Sequence, residues 1–285
     1  MSMTVPGALI RITRPAAITL AAMALMFPSS PVPAEETSEA DRARWQEVAN
    51  AYFPGRRLEP AGAGLRLEAP RRAADAAIVP ISVQAGTGQA ADPVTRLHLI
   101  IDDNPVPRAF VAHFGPQSAG ASIETRVRIN EYTHVHAVAE TAAGRLLEAS
   151  TFVRASGGCS APALKDPDDA MARLGRMKLN LPPVVRAGEP ARAQLLISHP
   201  NSSGLQFDQI SRTYIPAHYV ERIRIHYNGR MVTELETDIS LSEDPSVHFT
   251  FLPEQEGVLE AETVDSKGGV FRGQWPVKAS GTGPA

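Results

Sequence analysis

The chain has 285 residues, 43% of them hydrophobic, 6% aromatic and 21% charged, with a net charge of −3. That length allows two domains of ordinary size, and the balance of charge excludes the clustered Lys and Arg that a nucleic-acid partner requires. The 24 prolines suit many strands broken by turns better than a helical bundle.

Arg11 and Arg14 precede an apolar run from Ala16 to Phe27, and Val32-Pro33-Ala34 resembles a small-residue cleavage site. The run is shorter than the roughly 20 residues a membrane span needs. Residues 1–34 are therefore read as an export signal, in preference to a membrane anchor or a buried helix. Arg11 and Arg14 are not adjacent, so the twin-Arg pattern is missing, and no cysteine follows the run to carry a lipid. The expected mature chain begins near Glu35, in the periplasm, with no membrane association.

Trp45, Val48, Ala49, Tyr52 and Phe53 make a helical stripe. Asp41 is placed to cap this helix and Pro54-Gly55 to end it, and the helix should cover one end of a first sandwich. From Leu65 the period becomes that of strands. Ile78 to Val83 is interrupted by Pro80, which points to an edge or a bulge. Leu97, Leu99 and Ile101 alternate, and Asp102-Asp103-Asn104-Pro105 is a turn cluster. Ala109 to Phe114 returns. Ser122 to Ile129 then sets Ile123, Thr125, Val127 and Ile129 on one face, with Glu124, Arg126 and Arg128 on the other. Thr133 to Glu140 and Leu146 to Val153 complete an antiparallel pattern with short turns.

Residues 170–180 fit a helix face through Met171, Leu174 and Met177, or a strand through Met177, Leu179 and Leu181. A second run of strands follows: 191–198, 220–227, 231–239, 247–252, 257–264 and 270–277. Asn228-Gly229 is the strongest hairpin signal, because both residues accept positive φ. Residues 200–217 form a long insertion, of the kind that is usually functional. The fold class is all-β: two immunoglobulin-like antiparallel sandwiches with a short N-terminal helix. The divisions are residues 35–155 and 176–280 for the sandwiches, 156–175 for an arm and linker, and 281–285 for a tail. Pairing of the sandwiches within one chain and swapped pairing between two chains both suit a linker of this length.

Between the sandwiches lies Ser156-Gly157-Gly158-Cys159-Ser160-Ala161-Pro162, with the only cysteine of the chain. One cysteine cannot form an intramolecular disulfide, so an exported chain must pair it with another molecule or keep it free. The glycines let the segment bend and pass close to a partner. Its neighbours bring no large apolar side chain to bury it, so the thiol is expected on a flexible, presented loop. Arg154 is the nearest cation in sequence, and Lys165 could fold back. Inert burial and redox exchange are the competing readings of this thiol.

His134 and His136 share a strand face and could form half of a metal site, but with no third ligand in view exposed strand histidines explain them better. His199 is read as a turn residue. No metal set, no catalytic constellation and no cofactor of the chain's own emerges.

Leu97 to Pro105, and the stretch from Glu140-Thr141 through Phe152-Val153-Arg154 to Gly157-Gly158-Cys159, resemble the sulfur-carrier subunit SoxY. Leu196-Ile197-Ser198-His199-Pro200, Ile225-His226-Tyr227-Asn228-Gly229 and Asp265-Ser266-Lys267-Gly268-Gly269 resemble its partner subunit SoxZ. The chain is similar to fused SoxY–SoxZ carriers, most of all those associated with quinoprotein dehydrogenases. The resemblance implies a non-enzymatic periplasmic carrier whose Cys159 holds a covalent sulfur intermediate. It also implies partner redox enzymes, such as a pyrroloquinoline-quinone dehydrogenase or a cytochrome c, and is compatible with a homodimer. In SoxY the arm ends in a free Gly-Gly-Cys-Gly-Gly. Here Ser160-Ala161-Pro162 tethers it, so the arm must move as a loop. An adaptor for a periplasmic dehydrogenase and a thiol redox protein are the alternatives.

Overall fold

The structure is a computed structural model that describes, apart from Met1, residues 38–86, 91–163 and 167–281. The expected export signal, Lys165 and residues 282–285 lie outside the described residues. Helix α1 (Glu39–Tyr52) starts at Ser38, not at Asp41. Ser38 Oγ accepts the Asp41 N–H at 3.1 Å, and the Asp41 carboxylate accepts the Ser38 N–H at 3.0 Å. Two N–H groups that the first turn leaves open are thereby paired in a reciprocal cap. The stripe read from the sequence buries Val48, Ala49 and Phe53. It packs on Ile100, Val138 and Leu146, which point out of the sheet away from the main core. The helix therefore covers the outer face of a sheet, where an end of the sandwich was expected.

The first half contributes β1 (Leu58–Pro60), β2 (Leu65–Glu68), β3 (Val79–Ala85), β4 (Val94–Ile101), β5 (Arg108–Phe114), β6 (Ser122–Val127), β7 (Thr133–Thr141) and β8 (Leu146–Val153). A short helix, α2 (Pro167–Ala172), leads to the second half; it ends before Leu174, so the helical face through Met171, Leu174 and Met177 does not form, and the strand reading is met by β9 (Met177–Asn180). Then come β10 (Val185–Arg186), β11 (Ala191–Ile197), β12 (Phe207–Asp208), β13 (Thr213–Tyr214), β14 (Val220–Tyr227), β15 (Arg230–Thr237), β16 (Ser246–Phe251), β17 (Gly257–Asp265), β18 (Val270–Val277) and β19 (Ala279–Ser280).

The two sandwiches are joined edge to edge into continuous sheets. One runs β1-β8-β7-β4-β5-β15-β14-β17-β18 and the other β2-β3-β6-β16-β11-β9. At the seam β5 and β15 pair antiparallel from Phe114↔Thr233 to Phe110↔Thr237. In the other sheet β6 meets β16 at Glu124↔His248. The halves thus pair within one chain, and the seam strands present no open edge to a second copy. Pro80 sits in β3 opposite Arg126, beyond the last β2 partner at Ser82, so its missing N–H falls where the strand has a free side.

Period-two alternation fills one core from both halves. Leu97, Leu99 and Ile101 join Val79, Ile81, Val83 and Ile123 with Leu195, Ile223, Ile225, Phe249 and Phe251. Truncating one of these to Ala costs about 2–5 kcal/mol, the sum of lost transfer energy and a cavity. The Asn228-Gly229 turn has φ of 49° and 72°, both positive as its type requires.

Candidate functional site

After β8 the chain does not swing free. Arg154 bridges to Arg72, and residues 157–160 close a turn in which Gly157 adopts φ +77° and the Ser160 N–H reaches the Gly157 carbonyl at 3.2 Å. The N–H groups of Gly157 and Gly158 donate to the carbonyls of Asn130 and Ile129, at 2.7 and 2.9 Å. A Cβ on Gly158 would stand 2.1 Å from the Ala76 carbonyl oxygen, so only glycine passes here. The second half closes over the turn. Ser203 Oγ donates to the Cys159 carbonyl, and Gln206 Nε2 to the Ala161 carbonyl at 3.0 Å.

Cys159 is 0% exposed. This corrects the expected presented loop. Ser156, Ser160 and Pro162 are exposed, Gly157 and Ala161 are partly so, and Gly158 and Cys159 are buried. The sequence neighbours of Cys159 are indeed small. Its cover comes from residues 76, 128–130 and 199–206, which sequence adjacency does not reveal. Burial pushes the thiol pKa up to about 11, and the Arg128 guanidinium draws it partly back. At neutral pH the docked thiol is therefore protonated.

Arg128 is the residue sequence reasoning misplaced. Alternation set it outward with Glu124 and Arg126. β6 ends at Val127, however, and the chain turns, leaving Arg128 only 1% exposed. Its Nη1 lies 3.3 Å from the Gly158 carbonyl and its Nη2 3.4 Å from the Asn201 carbonyl. Burial lowers its pKa, while Cys159, Glu243 and Asp75, in that order, pull it back up.

Two buried clusters brace this cradle. In the first half Asn104, from the predicted turn cluster, donates to the Arg128 carbonyl at 2.8 Å and accepts the Asn130 N–H at 2.9 Å. Two residues earlier, Asp102 Oδ2 lies 3.1 Å from His136 Nε2, while Glu148 Oε1 is 2.8 Å from His136 Nδ1. His136 is 4% exposed and stacks on Trp45 at 3.6 Å, so the expectation of an exposed strand histidine is corrected. His134 lies beside it with ring centroids 6.0 Å apart and packs against Phe152.

In the second half His199 is buried and is more than a turn residue. Its Nδ1 accepts the Asn201 N–H at 3.0 Å. Asn201 in turn donates to the Leu241 carbonyl and accepts the Val220 N–H, each at 3.0 Å. His218 Nε2 lies 2.8 Å and His199 Nε2 3.5 Å from the same Asp265 oxygen. These three ligand atoms lie within 4.8 Å of one another, close enough for a metal ion. The tautomer argues otherwise. With Nδ1 accepting, the ring proton of neutral His199 sits on Nε2, where a metal would have to displace it. Burial holds the His199 pKa down to about 4, with the His218 charge adding to the effect, so the ring is neutral. Asp265 bonds His218, while His199 Nε2 has no hydrogen-bond partner and His199 Nδ1 holds the Asn201 N–H, which anchors the 199–206 segment.

A concave region of ≈ 580 Å³ lined by Pro80, Ile81, Glu124, Arg126 and His248 lies along the six-stranded sheet and includes no residue of the arm. Among the described residues no helix is long and apolar enough to cross a membrane.

The family model "Sulfur oxidation protein SoxY" matches residues 49–159, and "Sulphur oxidation protein SoxZ" matches residues 179–276. The chain belongs to the fused SoxYZ-like family. The SoxY match ends at Cys159, the residue on which the docked turn closes. The chain is thus a SoxYZ-type sulfur-oxidation carrier protein with a single cysteine. No curated protein matches it. Among solved structures, a superoxide reductase (neelaredoxin) from Ignicoccus hospitalis is 16% identical over 41% of this chain and 89% of its own, with a TM-score of 0.29. A Bacteroides ovatus mixed-linkage glucan utilisation protein, SGBP-B, is 13% identical over 73% of this chain and 42% of its own, with a TM-score of 0.20. Neither likeness carries an argument about function.

Proposed function

We propose that the chain is a periplasmic carrier on which Cys159 Sγ holds a sulfur-containing intermediate while partner redox enzymes act on it. The partners we favour are a quinoprotein dehydrogenase system or a cytochrome c, the association suggested by the sequence resemblance. The observation that carries this reading is the position of Cys159, the single thiol, at the end of the SoxY match and on a turn held only by reversible bonds. Two backbone N–H groups and the side chains of Arg128, Ser203 and Gln206 make five such bonds. At roughly 1 kcal/mol net each they supply about 5 kcal/mol. Releasing the four residues 157–160 returns roughly 1–2 kcal/mol of backbone entropy apiece. The two sums nearly cancel, so the arm opens at modest cost and can offer its thiol to an enzyme.

Joining Sγ to a second divalent sulfur forms an S–S bond and withdraws two electrons. Two protons leave with them, to solvent; with a single cysteine the chain has no disulfide of its own to be reduced in exchange, and in this reading a partner cytochrome c or quinoprotein accepts the two electrons. The protonated, buried thiol suits loading in a partner's site better than it suits free redox exchange.

The test has two parts. Intact mass of the protein recovered from its own periplasm should show a sulfur-containing adduct, mapped to Cys159. A Cys159→Ser variant should fold normally and fail to support sulfur oxidation in cells; full activity of that variant would overturn the reading.

A further inference from the structure

A buried guanidinium normally has a carboxylate against it, because an uncompensated charge in the interior costs several kcal/mol. Arg128 does not. It is 1% exposed, its Nε has no hydrogen-bond partner, and its two Nη contacts are long ones to the carbonyls of Gly158 and Asn201. Among the described residues it forms no ion pair. Of the groups whose negative charge acts on it, Cys159 comes first, ahead of Glu243 and Asp75. The group that neutralises Arg128 most directly is thus Cys159, next in the chain to the Gly158 carbonyl that Arg128 Nη1 reaches at 3.3 Å, but only when its sulfur, or what it carries, is negative. The bare thiol is not, since burial keeps it protonated at neutral pH.

We infer that Arg128 is the receiving cation for a negative charge carried on Cys159, so that a sulfur substituent ending in an oxyanion docks the arm more tightly than a neutral substituent of the same size. The guanidinium fork suits an oxyanion, offering parallel N–H donors where an ammonium offers a point charge. Arg128 also contacts both sides of the cradle at once, Gly158 on the arm and Asn201 on the second half. Neutralising it therefore strengthens the closed state as a whole. The charge of the cargo becomes a signal: an oxyanion-terminated adduct stays folded away, and an adduct that loses its charge frees the loop. This inference deepens the carrier reading by naming the residue through which the charge of the cargo acts on the arm, and rests on that reading only for its biological use.

The test uses two adducts alike in shape and different in charge. Iodoacetate and iodoacetamide each alkylate the full-length protein at mildly alkaline pH through the opened arm. Sγ displaces iodide, an S–C bond replaces the C–I bond, and the thiol proton passes to buffer. The products end in a carboxylate and a carboxamide. Hydrogen exchange is then read at the amides of Gly157 and Gly158, both bonded across the cradle.

The carboxymethyl protein should exchange at least about 10-fold more slowly than the carbamidomethyl protein. In Arg128→Gln the ratio should fall to about one, while Arg128→Lys should keep part of it. Equal exchange of the two adducts in the wild type, or a ratio that survives in Arg128→Gln, overturns the inference. Should Arg128→Gln fail to fold, the wild-type pair and Arg128→Lys decide the matter. The carrier reading is judged separately, by the mass of the native protein and by Cys159→Ser, so either idea can fail without the other.

Discussion

Each half of the molecule places a buried aspartate at the end of a strand and gives it histidine, yet the pKa values of His136 and His199 are shifted in opposite directions. In the first half one imidazole, His136, lies between two carboxylates, Asp102 and Glu148. Burial alone would lower its pKa, but the hydrogen bonds to Asp102 and Glu148 outweigh that and the pKa is raised. In the second half two imidazoles, His199 and His218, share Asp265, and burial with the His218 charge holds His199 at about 4. His136 and His199 are both buried, so burial alone does not decide the direction of the shift. The number of carboxylates per imidazole does. Both sites support the arm, one through Asn104 and the other through Asn201, so the cradle hangs between a histidine whose pKa is raised and one whose pKa is lowered.

The largest effect should come from removing the shared acceptor. Asp265→Ala strands His218 and two backbone donors, the N–H groups of Lys267 and Gly269. A loss of about 3–5 kcal/mol in chemical denaturation is expected, as for a broken buried network. Asp102→Ala leaves His136 its bond to Glu148 and should cost less, about 1.5–3 kcal/mol. Equal losses would mean that the second carboxylate does not share the load.

The pH dependence should split the two sites by sign. His136, with its pKa raised, contributes stability that is complete below 6.5 and lost as pH rises through its folded pKa. His199, depressed from 6.5 to about 4, contributes stability that is present above 6.5 and lost as pH falls toward 4. Its share is about 1.4 kcal/mol per pH unit in that window. His98, partly buried and held to about 4 by desolvation, acts in the same direction. The His199 share is therefore read as the difference between wild type and His199→Gln in denaturation midpoints across pH. A slope unchanged in His199→Gln would contradict a neutral His199.

The smallest effect belongs to the stack of Trp45 on His136. A cation against an indole face gains about 1–2 kcal/mol when partly desolvated. Trp45→Leu should lower the His136 pKa, seen by titration of its ring resonances. An unmoved pKa would show the stack to be packing alone.

Much of the fold was legible because it follows from period-two alternation and turn chemistry. Leu97, Leu99 and Ile101 point inward as read, and Asn228-Gly229 turns as read. The site was legible only as a place in the chain. Cys159 stood out by being alone, but its cover lies about 30 to 80 residues away in sequence. Arg128 followed an alternation that stops one residue before it. His136 and its carboxylates come from three different segments, and the strand pairing that unites them is not encoded in any short motif. Asn104 shows what could have been noticed: a turn cluster with more polar side chains than a turn requires has side chains to spare for the interior.

The docked turn also bears on the protein's chemical lifetime. Sulfenic, sulfinic and sulfonic acids form stepwise on exposed thiolates, and the later steps are not reversed. With its pKa pushed up to about 11, Cys159 is ionised in about one molecule in ten thousand at pH 7. That fraction has no path to solvent until the turn opens. An empty carrier waiting among peroxides and foreign disulfides is thus nearly inert, and becomes reactive only for the interval in which something draws the loop out.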